Sequence, residues 1–188
     1  ITSVDRDDLK NDYGAEIWAE TIYKIRKHSP KCTIEVLTPD FQNYAQAYER
    51  VFEAEPDIFS HNIECIQRIS KRVRPQSDWN RSLSLLKASV EWGLSTKTGM
   101  MVGLEENDFE VLNTMEEVAN LGVKILNIGQ YLQPTKNHLP VHRFVHPDIF
   151  HMYKEKGLAM GFRVVESGPL VRSSYHADEQ AMRLSTFH

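Results

Sequence analysis

Cysteine is scarce in this sequence, and its scarcity excludes the commonest metal and disulfide scaffolds. The 188 residues include only Cys32 and Cys65, which lie far apart, and no CxxC pair occurs. The spacing therefore indicates neither a disulfide framework nor a zinc site. We expect two free thiols, buried as small apolar groups.

Long apolar runs and excess positive charge are also absent. No run approaches the ~20 apolar residues of a membrane-spanning helix, and no signal peptide is recognisable. The formal net charge is −4 and the pI is about 6.1, which does not favour nucleic acid or an anionic membrane as a partner. With 41% hydrophobic and 26% charged residues, the sequence predicts a cytoplasmic protein whose residues 1–188 form a single domain.

The common catalytic signatures are missing as well. No HExxH, GxSxG, GxxxxGK[ST] or GxGxxG motif occurs. His138, His142 and His146 recur every four residues, but Pro140 and Pro147 interrupt any helix that would align them. Carboxylates in "DRDD" (5–8) could bind a metal, although the same residues suit a loop before a helix. A metal-dependent barrel hydrolase or aldolase therefore stays a minor alternative.

Short β-rich runs alternate with amphipathic patterns along the chain. We predict strands at 1–4, 33–37, 57–60, 99–103, 124–129 and 162–166, and helices at 15–28, 44–54, 80–92 and 108–121. Asn107 and Glu110 are placed as a capping box for the last of these helices, and Gly122 is placed to end it. The alternation predicts an α/β protein with a parallel sheet.

Two features favour a partial (βα) barrel over a doubly wound sheet, which remains possible. The chain is short for a complete eight-fold barrel of ~250 residues. Polar residues also follow almost every predicted strand, as they do at the catalytic face of barrel enzymes. Because helix N-caps also favour polar residues after strands, about half of these positions need no functional explanation.

Two segments remain unexplained by periodicity. In "GMMVGLEE" (99–106), two glycines within a strand remove side chains where another group approaches the backbone closely, either a planar ligand or a tightly packed helix. In "SGPLVRSSYHADEQ" (167–180), arginine, serines, tyrosine and histidine follow one another without helical or strand spacing. The second segment is either part of a site or a tail.

Together these segments resemble lipoyl synthase of the radical S-adenosylmethionine (SAM) superfamily. The resemblance rests on "ITSVDRDDL", "TIEVLTPDF", "HNIE", "VRP", "TKTGMMVGL", "IGQYLQPTKNHLPV" and "ESGPLVRSSYHAD", which follow the order of the family. "GMMVGLEE" also fits the superfamily pattern GxIxGxxE, with Met101 at the isoleucine position. The resemblance implies a TIM-like partial barrel of the radical SAM type, N-terminally truncated, with the RSSY segment at 167–180.

The resemblance also implies an activity. Members of the family insert two sulfurs into an octanoyl chain carried by a lipoyl domain or by the glycine cleavage H protein. They use SAM and two 4Fe-4S clusters, one of which cleaves SAM while the other donates sulfur. The cofactors carry the radical chemistry and the protein positions them.

Several residues acquire expected roles by the same resemblance. Ser174 is expected to ligate the auxiliary cluster, with Ser173 as the fallback, and Arg172 to help position that cluster or the substrate. Gly99, Met101 and Gly103 are expected beneath the adenine of SAM. The polar ends of SAM and the pocket wall are assigned to Ser3, Asp5, Asn62, Arg74, Lys97 and Gln130, with His61, Tyr131 and His138 as further pocket lining.

The sequence departs from the family in its cysteines. Family members hold both clusters through cysteine triplets that precede the "ITSVDRDDL" segment, and this sequence contains neither triplet. Cys32 and Cys65 cannot replace them, since a cluster needs three or four thiolates at short spacing. We therefore expect no cluster in this chain alone. The sequence predicts a C-terminal part of a longer lipoyl synthase, the alternative being a short form that acts as a partner or inactive homologue.

Overall fold

A computed structural model describes residues 1–185, and its centre is an open sheet of five parallel strands. The strands lie in the order β1-β2-β3-β4-β5. Their bounds are Glu35–Leu37, Ile58–Ser60, Thr96–Val102, Ile125–Gln130 and Val164–Gly168. Every neighbouring pair is parallel. The predicted α/β partial barrel is thereby confirmed, because sequential parallel strands that do not close on themselves form an open barrel segment.

Seven α-helices accompany the strands in the described part of the chain. They are α1 (Ala15–His28), α2 (Ala45–Glu53), α3 (Gln67–Val73), α4 (Trp79–Glu91), α5 (Asp108–Asn120), α6 (Pro147–Ala159) and α7 (Ala177–Ser185). The four predicted helices correspond to α1, α2, α4 and α5. Periodicity had not indicated α6, which begins at Pro147 in the favoured first-turn position. No helix among residues 1–185 is long and apolar enough to cross a membrane.

The two faces of the sheet differ in chemistry because strand side chains alternate. On β3, Met100 and Val102 pack in the main apolar core with helix residues such as Leu86 and Met115. A second core joins α1 and α2 to the outer side of β1 and β2. The other face carries a small buried apolar cluster of Ile58, Ile125 and Val164. Above that cluster the inner face is polar, and the site lies there.

The predicted strand at 1–4 is wrong. Only Thr2 forms a bridge, to Leu37 of β1, with the Ile1 carbonyl accepting from the Leu37 amide at 2.8 Å. β1 is three residues long, and the next amide, that of Thr38, donates to Ser60 on the opposite side. Residues 3 and 4 therefore have no strand to pair with, and the predicted sixth strand is reduced to a single bridge.

The predicted capping box of α5 is confirmed. The Asn107 side chain accepts from the Glu110 amide at 3.0 Å, and the Glu110 carboxylate accepts from the Asn107 amide at 3.0 Å. Gly122 follows the helix with φ +92, a left-handed conformation that suits glycine. α5 is thereby fixed directly after the loop that leaves β3.

Candidate functional site

A cavity of about 1220 Å³ opens at the carboxyl ends of the strands. This is the edge at which the sequence predicted a site. Its lining comes from the strands themselves and from four connecting segments, namely the segment after β2, the end of α3, the loop after β4 and the segment after β5. Of the predicted site residues, the lining includes Asn62, Arg74, Gly99, Met101, Gln130, Tyr131, His138, Arg172 and Ser173.

The segment after β2 continues beside β3 and turns two polar side chains toward the cavity. The Glu64 amide donates to the Gly99 carbonyl at 3.1 Å, and the Met101 amide donates to the Glu64 carbonyl at 2.9 Å. Glu64 has φ +68, a left-handed conformation that costs energy in a residue other than glycine. Both Asn62 and Glu64 line the cavity, so "HNIE" delivers an amide and a carboxylate to one place.

Burial raises the pKa of Glu64, while the Arg74 guanidinium and a hydrogen bond from Asn62 oppose the rise. Arg74 follows α3 and lies 3.9 Å from Glu64 and 3.3 Å from Asp5. Two segments far apart in sequence thus supply a guanidinium and two carboxylates to one rim. Such a mixed rim can bind a ligand that carries both an amino and a carboxylate group.

Four predicted SAM contacts, Ser3, Asp5, Lys97 and Gly103, do not line the cavity. Lys97 is 1% exposed and its ammonium lies 2.8 Å from Glu35 of β1, with no further hydrogen-bond partner. The hydroxyl of Ser3 is exposed and donates to the neighbouring carbonyl of Val4. Neither residue lines the cavity. His61, predicted as pocket lining, is also buried away from it, between the Thr38 carbonyl and the Ser82 hydroxyl.

The glycines of "GMMVGLEE" are accounted for by close contacts within the chain. A Cβ on Gly99 would lie 2.9 Å from Oδ1 of Asn62. A Cβ on Gly103, whose φ is +100, would lie 2.5 Å from the Arg143 carbonyl and closer still to Gln130. Gly99 thus makes room for the Asn62 side chain, and Gly103 makes room for the loop after β4. The expected adenine contact stays a prediction.

Glu106, the acid of this motif, closes the turn after β3. Its buried carboxylate accepts from the amides of Gly103 at 2.7 Å, Leu104 at 3.0 Å and Glu105 at 3.2 Å. Arg143 lies 3.7 Å away and forms a 2.6 Å ion pair with Asp108. Glu106 therefore holds the loop geometry and leaves none of these amides pointing into the cavity.

The segment after β5 crosses the inner face of the sheet, and we call residues 169–176 the RSSY arm. The Ser173 hydroxyl accepts a hydrogen bond from the Asn62 side chain at 3.1 Å and lines the cavity. Ser174 is exposed and lies outside the lining. The structure thus brings the fallback residue, rather than the preferred one, to the predicted strand end.

Sequence reasoning missed Asn127, which holds the RSSY arm from below. Its side chain is 3% exposed and donates to the carbonyls of Arg172 at 3.1 Å and Ser173 at 3.2 Å. The signal was present in "ILNIG", where a lone polar residue occupies the inward position of an otherwise apolar buried strand. A buried amide at such a position needs partners.

Comparison with known proteins identifies the superfamily. Residues 1–118 match the family model described as the radical SAM superfamily. The chain belongs to the radical SAM superfamily. Among solved structures, a methylornithine synthase superposes with a TM-score of 0.60 over 84% of this chain and 54% of that chain, at 9% identity, which supports the radical SAM fold alone.

Three curated relatives of this radical SAM chain carry the same name. A lipoyl synthase of Flavobacterium johnsoniae is 49% identical over 97% of this chain and 63% of its own length. Lipoyl synthases of Rubrobacter xylanophilus and Bacteroides fragilis are 53% and 50% identical over 96% and 95% of this chain. The chain spans about 56–63% of the length of these relatives.

The donor set for an iron-sulfur cluster is not present among residues 1–185. No group of three or more His, Cys, Asp or Glu side chains that could hold a metal occurs there. Cys32 is exposed and Cys65 is buried, where burial raises the pKa of the Cys65 thiol to about 12. Cys65 packs in the main apolar core, and neither cysteine lines the cavity. These two thiols therefore cannot hold a cluster there.

Proposed function

We propose that this radical SAM chain is the barrel part of a lipoyl synthase, which inserts two sulfurs into a protein-bound octanoyl chain. The identity of about half to curated lipoyl synthases supports the assignment. The observation that carries it is the RSSY arm, whose Ser173 hydroxyl lines the strand-end cavity beside Asn62. A solvent-exposed tail would not be fixed by side-chain amides from β4 and from the segment after β2.

SAM fits the chemistry of the cavity wall. Asn62, Glu64 and Arg74 offer hydrogen-bond donors and acceptors to the cavity, and Met101 and Leu37 offer apolar contact. We assign the polar ends of SAM to Asn62 and Arg74, with Asp5 acting through Arg74. When bound, SAM would supply a 5′-deoxyadenosyl radical that can abstract hydrogen from an unactivated C–H bond, formed with release of methionine once the SAM-cleaving cluster of the full-length family has donated one electron. The protein's part is to bind SAM and keep water from the reacting carbons.

The clusters do not fit the donors of this chain alone, because the described residues offer no set of three or four thiolates. The resemblance assigns the thiolates to cysteine triplets outside these 188 residues. We propose that Ser173 supplies the oxygen ligand to the auxiliary cluster, in preference to Ser174. The half-buried position of Ser173 in the cavity and the exposure of Ser174 support this choice.

An octanoylated carrier protein is the proposed substrate. Leu132 and Leu170 line the cavity while remaining 55% and 81% exposed, so they form an apolar lip at its mouth. An eight-carbon chain that enters past this lip would bury apolar surface worth about 0.8 kcal/mol for each methylene. The lip therefore supports an alkyl substrate delivered from outside the barrel.

A chimera tests the proposal. The segment of the Flavobacterium johnsoniae lipoyl synthase that precedes its match would be joined to Ile1, and the clusters would be reconstituted under anaerobic conditions. We expect conversion of an octanoylated carrier domain to the lipoylated form in the presence of SAM, measured by mass spectrometry of the carrier.

Matched serine variants make the test specific. Ser173→Ala should abolish lipoylation while SAM cleavage continues. Ser174→Ala should retain most of the lipoylation activity. A chimera that binds both clusters and cleaves SAM but never modifies the carrier would contradict the function. Loss of lipoylation in Ser174→Ala alone would contradict the choice of Ser173.

A further inference from the structure

An interior amide on β4 makes three hydrogen bonds to the end of the chain. Besides its two bonds to the Arg172 and Ser173 carbonyls, Asn127 accepts at Oδ1 from the Gln180 side chain at 3.3 Å. Both donors and the acceptor of this buried amide are therefore used by one C-terminal segment.

The backbone of the RSSY arm lies directly on the sheet next to this amide. A Cβ on Gly129, two residues after Asn127 on the same strand face, would lie 2.3 Å from the Val171 carbonyl. A glycine is therefore required at this level for the arm to reach Asn127. Farther along, Asn62 of the segment after β2 donates to the Ser173 hydroxyl at 3.1 Å.

Gln180 of α7 completes the arrangement. It is 1% exposed, and its side-chain amide donates both to Asn127 and to the Tyr175 carbonyl at 2.8 Å. The Tyr175 amide in turn donates to the Arg172 carbonyl at 2.9 Å. The same Arg172 carbonyl thus accepts one bond from the sheet and one from the arm's own turn.

We propose that Asn127 is a positioning residue that locks the RSSY arm onto the sheet and so fixes Ser173 before any cofactor binds. Asn127 holds the main chain on both sides of the Arg172–Ser173 peptide bond, and Asn62 orients the Ser173 hydroxyl. All of these contacts form among residues of this chain. The arm is therefore preorganised, and a ligand of Ser173 meets a serine already in place.

The significance of the lock for catalysis rests on the proposed function, because Ser173 needs a fixed position only if it binds the auxiliary cluster. The lock itself does not depend on that function. Its test therefore uses the isolated chain without iron, sulfide, SAM or carrier. Failure of lipoylation in the chimera would leave the lock standing, and failure of the lock would leave lipoylation possible.

Limited digestion with trypsin measures the lock at the bond it protects. Arg172 is exposed, but its carbonyl is held by Asn127, so the wild-type chain should be cut slowly after this residue. Asn127→Leu keeps the number of side-chain heavy atoms and removes all three hydrogen bonds of the amide, of which the two donated bonds hold the arm. Because cleavage follows the population of the released arm, we expect about a thirtyfold faster cut after Arg172, the change produced by losing two ordinary hydrogen bonds.

An internal reference and a matched variant show whether the effect is local. Cleavage after Lys136, which is exposed in the loop after β4, should keep its wild-type rate in Asn127→Leu. Asn113→Leu, at an exposed position of α5, should change neither rate. An unchanged rate after Arg172, or an equal rise at both sites, would overturn the proposal.

Hydrogen exchange of the wild-type chain gives a second measurement that needs no variant to fold. The Tyr175 amide, bonded to the locked Arg172 carbonyl, should exchange at least about tenfold more slowly than an unstructured amide. If it exchanges at the unstructured rate, the arm is not held in the cofactor-free chain and the proposal is wrong.

Discussion

Replacing Glu106 with glutamine tests the interpretation that this motif acid builds the turn after β3. The carboxylate uses both oxygens to accept from three successive amides, at 2.7, 3.0 and 3.2 Å, and its side chain is 1% exposed. Glutamine keeps one oxygen and places an NH₂ group against at least one of these donors. That donor is then buried without an acceptor.

The expected cost follows from the contacts. An unsatisfied buried donor costs about 1–3 kcal/mol, and hydrogen bonds to a charged group are stronger than those to a neutral one. We therefore expect Glu106→Gln to lower the free energy of unfolding by about 2–4 kcal/mol. In a chain of this length the melting temperature should fall by roughly 5–15 °C.

Glu105→Gln is the matched control, one residue away. Glu105 is exposed and pairs with Arg72, so solvent screens its contribution. Urea denaturation followed by circular dichroism would compare the two variants with the wild type at an equal m-value. A Glu106→Gln variant as stable as Glu105→Gln would refute the view that this carboxylate holds the turn.

The two cysteines and His61 give two further, independent predictions. Cys32 is exposed and Cys65 is buried with its pKa raised to about 12, so Ellman's reagent should modify one thiol per native chain and two in denaturant. Burial lowers the pKa of His61, which means that the folded state binds this proton less tightly than the unfolded state. Stability should therefore fall as pH decreases below about 6.5, and His61→Gln should reduce that slope in urea titrations at pH 7 and pH 5. A native chain with two reactive thiols, or an unchanged slope in His61→Gln, would contradict these assignments.

The alternating helices and strands could be predicted because the buried face of each element requires apolar residues at a regular spacing along the chain. β3, β4 and β5 are apolar runs packed against helices, and α1, α2, α4 and α5 carry amphipathic spacing, so their types could be read locally. The segment at 1–4 is also β-rich, but a strand extends only as far as a neighbouring backbone offers it hydrogen-bonding groups. β1 ends after three residues, and no local pattern records the length of a neighbour.

The site was predictable in location and less so in detail. Polar residues after the strands indicated the correct edge, since parallel strands end together. Lys97 was expected to reach SAM, but it pairs with Glu35 on a strand two positions away in the sheet. The contact between Asn62 and Ser173 likewise joins residues separated by 111 positions. Such pairings depend on the register of the sheet, which the spacing of residues within one strand does not reveal.

The RSSY motif does not indicate which of its two serines faces the cavity, and the contacts of the arm with the sheet determine this. Within "RSSY" the two serines are chemically equal, and only the path of the backbone distinguishes them. Gly129 sets that path, because any side chain there would have to displace the Val171 carbonyl from a 2.3 Å approach to ordinary contact, a shift of about 1 Å. The Asn127 bond to the Ser173 carbonyl is already 3.2 Å long and would not survive such a shift. A missing side chain on β4 therefore determines which hydroxyl of the RSSY arm faces the cavity.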